Sequence, residues 1–387
     1  MNITSPALLR GRRILLVGND PEYFLMHRLA LAKALVEQGI DLQVAVPFDS
    51  SDMRFRTLPF AVHRLPLRRG SVNPWTELRT LAALVALSRR LRPILVHHVT
   101  IKPMLYGSIV ARLLGTACVV NSITGLGFVF SSSEPAARAL RFLVRPLLRF
   151  GCMRPNVTML FENHDDLLLY CRQEMAQASR SRVIPSSGID VSCYTPRQHH
   201  EADVTVMVLG RMLWDKGIRE FVEAAHIVAA QRPATKFVLV GGTDPNPESI
   251  PLQTLQQWQR EGTVEYWGWR SDIPEVLAKA DILCLPSYRE GLPRSLLEGG
   301  ATGLPLIATD VPGCRDALRP GVSGLLVPAK DSAALASAIL RLVDDADLRK
   351  QMGEAARSDV ASRFSTASVV NATMAVYQES IARIASG

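Results

Sequence analysis

One stretch constrains this chain more than any other: Leu285-Pro-Ser-Tyr-Arg-Glu290-Gly-Leu-Pro293-Arg-Ser-Leu-Leu-Glu298-Gly-Gly-Ala-Thr-Gly303-Leu-Pro-Leu-Ile-Ala-Thr309. An apolar strand over 282–285 runs into a loop, the loop into a short helix, and the helix into a second strand over 306–309. Pro293 suits the first helical position, where a missing N–H costs nothing. Gly303 suits the far end, where a positive φ is cheap only for glycine. Glu290 therefore lies in the loop at the mouth of the unit, and Glu298 about one and a half turns into the helix. The free N–H groups of the helix start form a ready anion site. Two carboxylates beside such a helix end point to a ligand that carries both hydroxyls and phosphates.

Glu290-Gly-Leu-Pro293 with a second glutamate eight residues after the first resembles the signature of the retaining GT-B glycosyltransferases, family 4, of the bacterial cell-surface polysaccharide type. The flanking strand and the later Gly313-Cys-Arg-Asp316 strengthen the resemblance. It implies two Rossmann-like domains facing a central cleft and transfer of a sugar from a nucleotide donor. The bland reading is an amphipathic surface helix with solvated carboxylates. Leu296, Leu297 and the Gly299-Gly300 pair argue for a buried helix instead.

The rest of the chain agrees with an α/β protein. Strands are expected over 13–17, 42–46, 94–99, 117–121 and 157–161, with helices between them, and again over 204–209, 236–240, 264–267, 281–285, 306–309 and 325–327. Such alternation predicts doubly wound parallel sheets. At 387 residues the chain is too long for one ordinary core and right for two domains. The turn-rich Ile184-Pro-Ser-Ser-Gly-Ile-Asp190 marks the boundary, giving an acceptor-binding domain over 1–190 and a nucleotide-sugar domain over 191–364. By resemblance, the last helix, over 365–387, packs back on the first domain.

Charge is unevenly placed. Residues 1–190 hold 24 Lys and Arg against 13 Asp and Glu, whereas residues 191–387 hold 20 against 23. A basic half points to an anionic partner such as nucleic acid, an anionic membrane or a diphosphate acceptor. Recognisable nucleic-acid motifs and aromatic-interleaved basic loops are missing, which argues against nucleic acid. No G-x-G-x-x-G follows either domain's first strand, which argues against a nicotinamide cofactor. Six scattered cysteines without a C-x-x-C read as free thiols of a reducing compartment. With no signal-peptide core and no run of about 18 apolar residues, the expected location is cytoplasmic, peripheral on the inner face of the membrane.

Further site residues follow. Gly210-Arg211-Met-Leu-Trp-Asp-Lys216-Gly217 leaves an apolar strand and places two cations five residues apart across a turn, a spacing able to clamp a diphosphate. The same stretch is similar to the family's diphosphate-holding segment. The alternative is a capped helix with exposed cations. The resemblance assigns hydroxyls of the transferred sugar to Glu290, both ribose hydroxyls to Glu298, and the diphosphate or sugar to the N–H groups of Gly291 and Leu292. Gly241, beginning a glycine pair, matches the turn near the nucleotide, and Trp269 or Arg270 is placed to stack on a uracil ring; a plain turn and core packing are the alternatives. No metal constellation is present, Asp345-Ala-Asp347 lacking a sugar-binding context, so transfer without a metal or other cofactor is expected.

The first domain is less readable. Val96-His-His-Val-Thr-Ile-Lys-Pro103 and Asn121-Ser-Ile-Thr-Gly-Leu-Gly127-Phe resemble bacterial polysaccharide members of the family. Where many relatives carry His-Gly, this chain has Thr124-Gly125, so Thr124 offers a positioning hydroxyl and the usual histidine has no counterpart. His97 stands nearby as a cleft residue or a packing histidine. Gly18 and Asn19 end the first strand on the cleft side, Asn19 with Asp20 also suiting a helix cap. Arg28 or Lys102 is suited to an acceptor phosphate. Arg138, Arg141, Arg145, Arg149 and Arg154 alternate with large apolar residues around Pro146, the pattern of an interfacial helix on an anionic membrane or of a buried helix with a solvated arginine edge.

The expected reaction is retaining transfer of a hexose or N-acetylhexosamine from a UDP-sugar to a polyprenyl-diphosphate-linked sugar. A synthase acting on a soluble sugar acceptor with another nucleotide sugar is the alternative.

Overall fold

The computed structural model describes residues 8–68, 70–71, 73–125, 135–185, 187–196, 203–244, 246 and 248–385. Leu126, Gly127 and Phe128 of the Asn121–Phe128 segment, and Ser186 of the domain link, lie outside them. The chain divides into two compact units, Met1–Gly188 with Thr366–Gly387, and Ile189–Ser365.

The first unit is built on seven parallel strands: β1 (Arg13–Val17), β2 (Asp41–Val46), β3 (Ala61–Arg64), β4 (Leu95–Val99), β5 (Cys118–Ile123), β6 (Val157–Phe161) and β7 (Ser181–Val183). Their order across the sheet is β3-β2-β1-β4-β5-β6-β7, so the winding direction reverses between β1 and β4. Strands buried on both faces read as continuous apolar runs, and β4, β5 and β6 are buried at every position. Helices cover both sides. On one, Leu84, Leu105 and Leu148 pack over Val96 and Val119. On the other, Phe24 and Leu35 join Met374, Tyr377 and Ile381 of the last helix, Thr366–Ala385, over Leu16 and Val120. That helix belongs to the first unit because its apolar stripe is part of this core.

The second unit carries six parallel strands: β8 (Thr205–Leu209), β9 (Lys236–Val240), β10 (Glu265–Gly268), β11 (Ile282–Leu285), β12 (Leu306–Thr309) and β13 (Gly324–Val327). Their order is β10-β9-β8-β11-β12-β13, with the reversal between β8 and β11. Ligands of open α/β sheets bind beyond the carboxyl ends of the strands at such a reversal.

Some local expectations shift. Pro293 is the N-cap, not the first helical residue, and the helix is Arg294–Ala301; Gly303, at φ +78, follows its end. The helix after β1 is two helices, Pro21–His27 and Leu29–Glu37, joined at Arg28. Asp345 caps the helix Ala346–Arg363 by accepting from Leu348 N at 2.8 Å, a structural use of that aspartate.

Candidate functional site

In the second unit, the residues expected to meet a donor follow the carboxyl ends of four strands. Arg211 and Lys216 come after β8, Gly241 after β9, Trp269 and Arg270 after β10, and Glu290, Gly291, Leu292 and Glu298 after β11. Arg211, Lys216 and Glu290 thus flank the reversal itself.

Backbone contacts draw these loops together. Gly210 N donates to Val240 O at 2.9 Å and Met212 N to Gly242 O at 3.0 Å, which ties the β8 loop to the β9 loop. A turn over Trp214–Lys216 then ends at Gly217, φ +67, where an added Cβ would fall 2.1 Å from Pro286 O. Only glycine permits that conformation with the β11 loop so close. Tyr288 N donates to Asp215 O at 2.8 Å and fixes the same approach. From the other side Gly313, φ +81, leaves no room for a Cβ, which would sit 2.3 Å from Gly291 O, and Glu290 N donates to Pro312 O at 3.2 Å.

The result is a close ion pair. Lys216 Nζ lies 2.6 Å from Glu290 Oε1, with the side chains 14% and 15% exposed. Ser287 Oγ, fully buried, donates to the same oxygen at 2.8 Å. Arg211 Nη1 lies 3.0 Å from Asp244 Oδ2 and is 57% exposed. Both cations therefore rest on carboxylates of neighbouring loops. An entering diphosphate can take the solvated Arg211 from Asp244 at small cost, while the ammonium of Lys216, with three donors, can serve Glu290 and a phosphate oxygen together.

Glu298 sits deeper, 8% exposed on the buried face of Arg294–Ala301. It accepts from Arg294 Nε at 2.7 Å and from Tyr194 OH at 3.1 Å. Burial is the main cause that lifts its carboxyl above the usual range, against the pull of Arg294 and Tyr194. Arg270 is held by Asp272, with Nε 2.8 Å from Oδ1. Trp269 is 74% exposed, whereas Trp267 packs against the core and donates to Glu265 at 2.8 Å. Tyr194 belongs to no motif, and Ser287 and Arg294, though within the Leu285–Thr309 stretch, carry no role there that residue type alone reveals. Only the i, i+4 spacing of Arg294 and Glu298 signals a pair.

The first unit separates its expected residues. Gly18 and Asn19 follow β1 at the carboxyl edge beside the reversal, and Thr124 follows β5, one strand beyond it on the same edge. Lys102 is already occupied: its Nζ lies 2.8 Å from Glu77 Oε1 and donates to Arg68 O at 2.7 Å and Ser71 O at 2.8 Å. All three of its donors are used in clamping a loop. His97 is fully buried in β4 between Tyr377 OH at 2.5 Å and Ser122 Oγ at 2.6 Å, the setting of a packing histidine. Burial first, then the charge of Arg28, pushes it far below the usual imidazole value. Its neighbour His98 faces the opposite core and is pushed down by burial to about 4. Arg28 is itself buried. No group of three or more metal-ligating side chains is found among the described residues.

Two families match. Residues 203–345 match Glycosyl transferases group 1, and residues 13–156 match Glycosyl transferase 4-like. The chain is 28% identical to N,N'-diacetylbacillosaminyl-diphospho-undecaprenol alpha-1,3-N-acetylgalactosaminyltransferase of Campylobacter jejuni, over 86% of this chain and 89% of that one. It is 27% identical to UDP-Gal:alpha-D-GlcNAc-diphosphoundecaprenol alpha-1,3-galactosyltransferase of Escherichia coli, over 70% and 71%. Sucrose-phosphate synthase from Thermosynechococcus elongatus shares the fold at a TM-score of 0.76 and 22% identity, over 96% of this chain and 100% of that one. With two sheets of this topology and these relatives, the chain belongs to the group 1 glycosyltransferases of GT-B architecture, of the bacterial polysaccharide type.

Proposed function

We propose that the chain transfers a hexose or N-acetylhexosamine, with retention, from a UDP-sugar to a sugar on a polyprenyl diphosphate. The Lys216–Glu290 pair at the strand-order reversal, with Arg211 on the same β8 loop as Lys216, carries this reading. Arg211 and Lys216 hold the donor diphosphate and stabilise the charge that grows on it as the glycosidic bond breaks. Glu290, fixed by Lys216 and Ser287, orients hydroxyls of the transferred sugar. Glu298 accepts from the ribose hydroxyls, with Gly291, Leu292 and Gly241 lining the path of the diphosphate and Trp269 or Arg270 beside the base. The departing phosphate takes the acceptor proton, so no strong protein base is required at Thr124. No step calls for a metal.

Both relatives are named for α-linkages to diphospho-undecaprenol sugars, which supports a lipid-linked acceptor and, from an α-linked nucleotide sugar, retention. We place the acceptor at the carboxyl edge of the first unit near Gly18, Asn19 and Thr124, on the cytoplasmic face of the membrane. Contact with anionic lipid falls to the helix Pro135–Cys152, where Val144 and Leu148 are buried while Phe142, Leu143, Leu147 and Phe150 are exposed beside the arginines. Among the described residues no helix is long and apolar enough to cross a membrane.

The test supplies UDP-hexoses and UDP-N-acetylhexosamines in EDTA with a short-chain prenyl-diphosphate-linked N-acetylhexosamine. A product whose anomeric NMR coupling matches the donor supports the reading. Transfer only to soluble sugars or sugar phosphates favours the synthase alternative.

A further inference from the structure

The helix pair after β1 breaks at a single residue, Arg28, whose backbone at φ −123, ψ −12 ends one helix and begins the next. The break turns this side chain inward, leaving it only 3% exposed. Its Nε has no hydrogen-bond partner, and among the described residues no carboxylate pairs with the guanidinium. The titratable groups that feel its charge are His97 and Tyr377, which burial keeps neutral. A buried, unpaired cation is among the most costly arrangements in a core.

Arg28 lines a cavity built wholly from the first unit, with Ser187, Gly188, Thr366, Val369 and Thr373 around it. The cavity is small, about 30 Å³, and open to solvent, which leaves room for a small anion at its mouth and none for a nucleotide. Thr366 opens the 20-residue helix Thr366–Ala385, so the positive end of a long helix meets the same space. Ser187 Oγ is held in place by His27 Nδ1 at 2.9 Å. Guanidinium, helix N-terminus and hydroxyls form three independent kinds of donor, with no acidic side chain among the cavity's lining residues.

We propose that this cavity binds a phosphate group, on the guanidinium of Arg28 and the first turn of Thr366–Ala385. Its lining residues all belong to the first unit and the donor residues to the second, and the proposal does not rest on the reading given to the donor residues. The phosphate is either free in solution or the diphosphate end of a prenyl-linked molecule.

The experiment compares thermal unfolding of the full chain and of Arg28→Met in chloride, in inorganic phosphate and in geranyl diphosphate at matched ionic strength. Phosphate salts stabilise proteins generally, so the signature is the difference between the two proteins. At a hundredfold excess over the dissociation constant the wild type rises by about 5 °C more than Arg28→Met. In chloride Arg28→Met melts no lower than the wild type, because it removes an unpaired buried charge. Equal effects of the two ligands per phosphate group identify free phosphate; a response to geranyl diphosphate at tenfold lower concentration identifies the prenyl-linked source. Should Arg28→Met fail to fold, Arg28→Lys serves, with a smaller but measurable response. The proposal is overturned if both ligands raise the wild type and Arg28→Met by the same amount or, where Arg28→Met does not fold, the wild type and Arg28→Lys by the same amount.

Discussion

Replacing Lys216 by Met tests both the stability and the chemistry of the pair at the strand-order reversal. Removing one partner of a fully buried ion pair costs about 3–5 kcal/mol. Here both side chains keep some access to water, at 14% and 15% exposure, and Ser287 still donates to Glu290. The expected cost is therefore about 1–3 kcal/mol, read as a lower denaturant midpoint or a melting temperature down by about 3–10 °C for a unit of this size. Turnover should fall further. Losing one fixed group aimed at developing charge costs about 10²–10³ in kcat. The double variant Lys216→Met/Glu290→Gln separates the two effects. Without a net buried charge its stability should return to within about 1 kcal/mol of the wild type, whereas its turnover should stay as low as in either single variant. UDP release in the presence of acceptor reports the rate, and urea unfolding the stability. If Lys216→Met keeps its stability, or the double variant recovers turnover along with stability, the pair is not placed on the reacting diphosphate as argued.

Three shorter predictions follow. Glu298, its carboxyl raised by burial, binds its proton more tightly folded than unfolded. Its contribution to stability therefore falls as pH rises from the ordinary carboxyl value through the folded one, and Glu298→Gln should remove that slope from urea midpoints; an unchanged slope contradicts the burial argument. His98, pushed down to about 4, binds its proton less tightly folded. It contributes about 3 kcal/mol that is complete above pH 6.5 and lost as pH falls to 4. A His98→Asn variant with the same acid-unfolding curve would count against this. Finally, Phe142→Glu with Leu143→Glu should lower sedimentation with phosphatidylglycerol vesicles at least tenfold while leaving the far-UV spectrum unchanged. Equal binding would remove this helix from the membrane contact.

Periodicity made the two sheets legible because a strand buried on both faces has to be continuously apolar. Val157–Phe161, Lys236–Val240 and Leu306–Thr309 all stand where the apolar runs put them. The two strands that escaped, Ala61–Arg64 and Ser181–Val183, lie at the edges of their sheet, are short and are polar or partly exposed, so burial imposes no pattern on them. The break at Arg28 escaped for a related reason. The apolar spacing runs on across it, and only the tertiary setting decides that an arginine turns inward.

At the site, what the sequence showed was residue type beside a strand end. The partners depended on loops that meet only in space. Gly217 and Gly313 stand in motif stretches, but nothing local shows that each makes room for another loop's backbone and so brings Lys216 and Glu290 together. Tyr194 lies 104 residues from Glu298 in the chain, beyond the reach of any local signal. Lys102 shows the reverse error, a cation that looked free beside a proline and is spent on Glu77 and two carbonyls.

The most direct test of the central claim, that the second unit binds a nucleotide-sugar donor at its strand-order reversal, is calorimetric titration with UDP, ADP and GDP in EDTA. The account predicts that UDP binds most tightly without metal and that Glu298→Ala weakens it roughly 10–100-fold, the worth of charge-assisted hydrogen bonds to the ribose. UDP that fails to bind, or binds Glu298→Ala as tightly as the wild type, would contradict it.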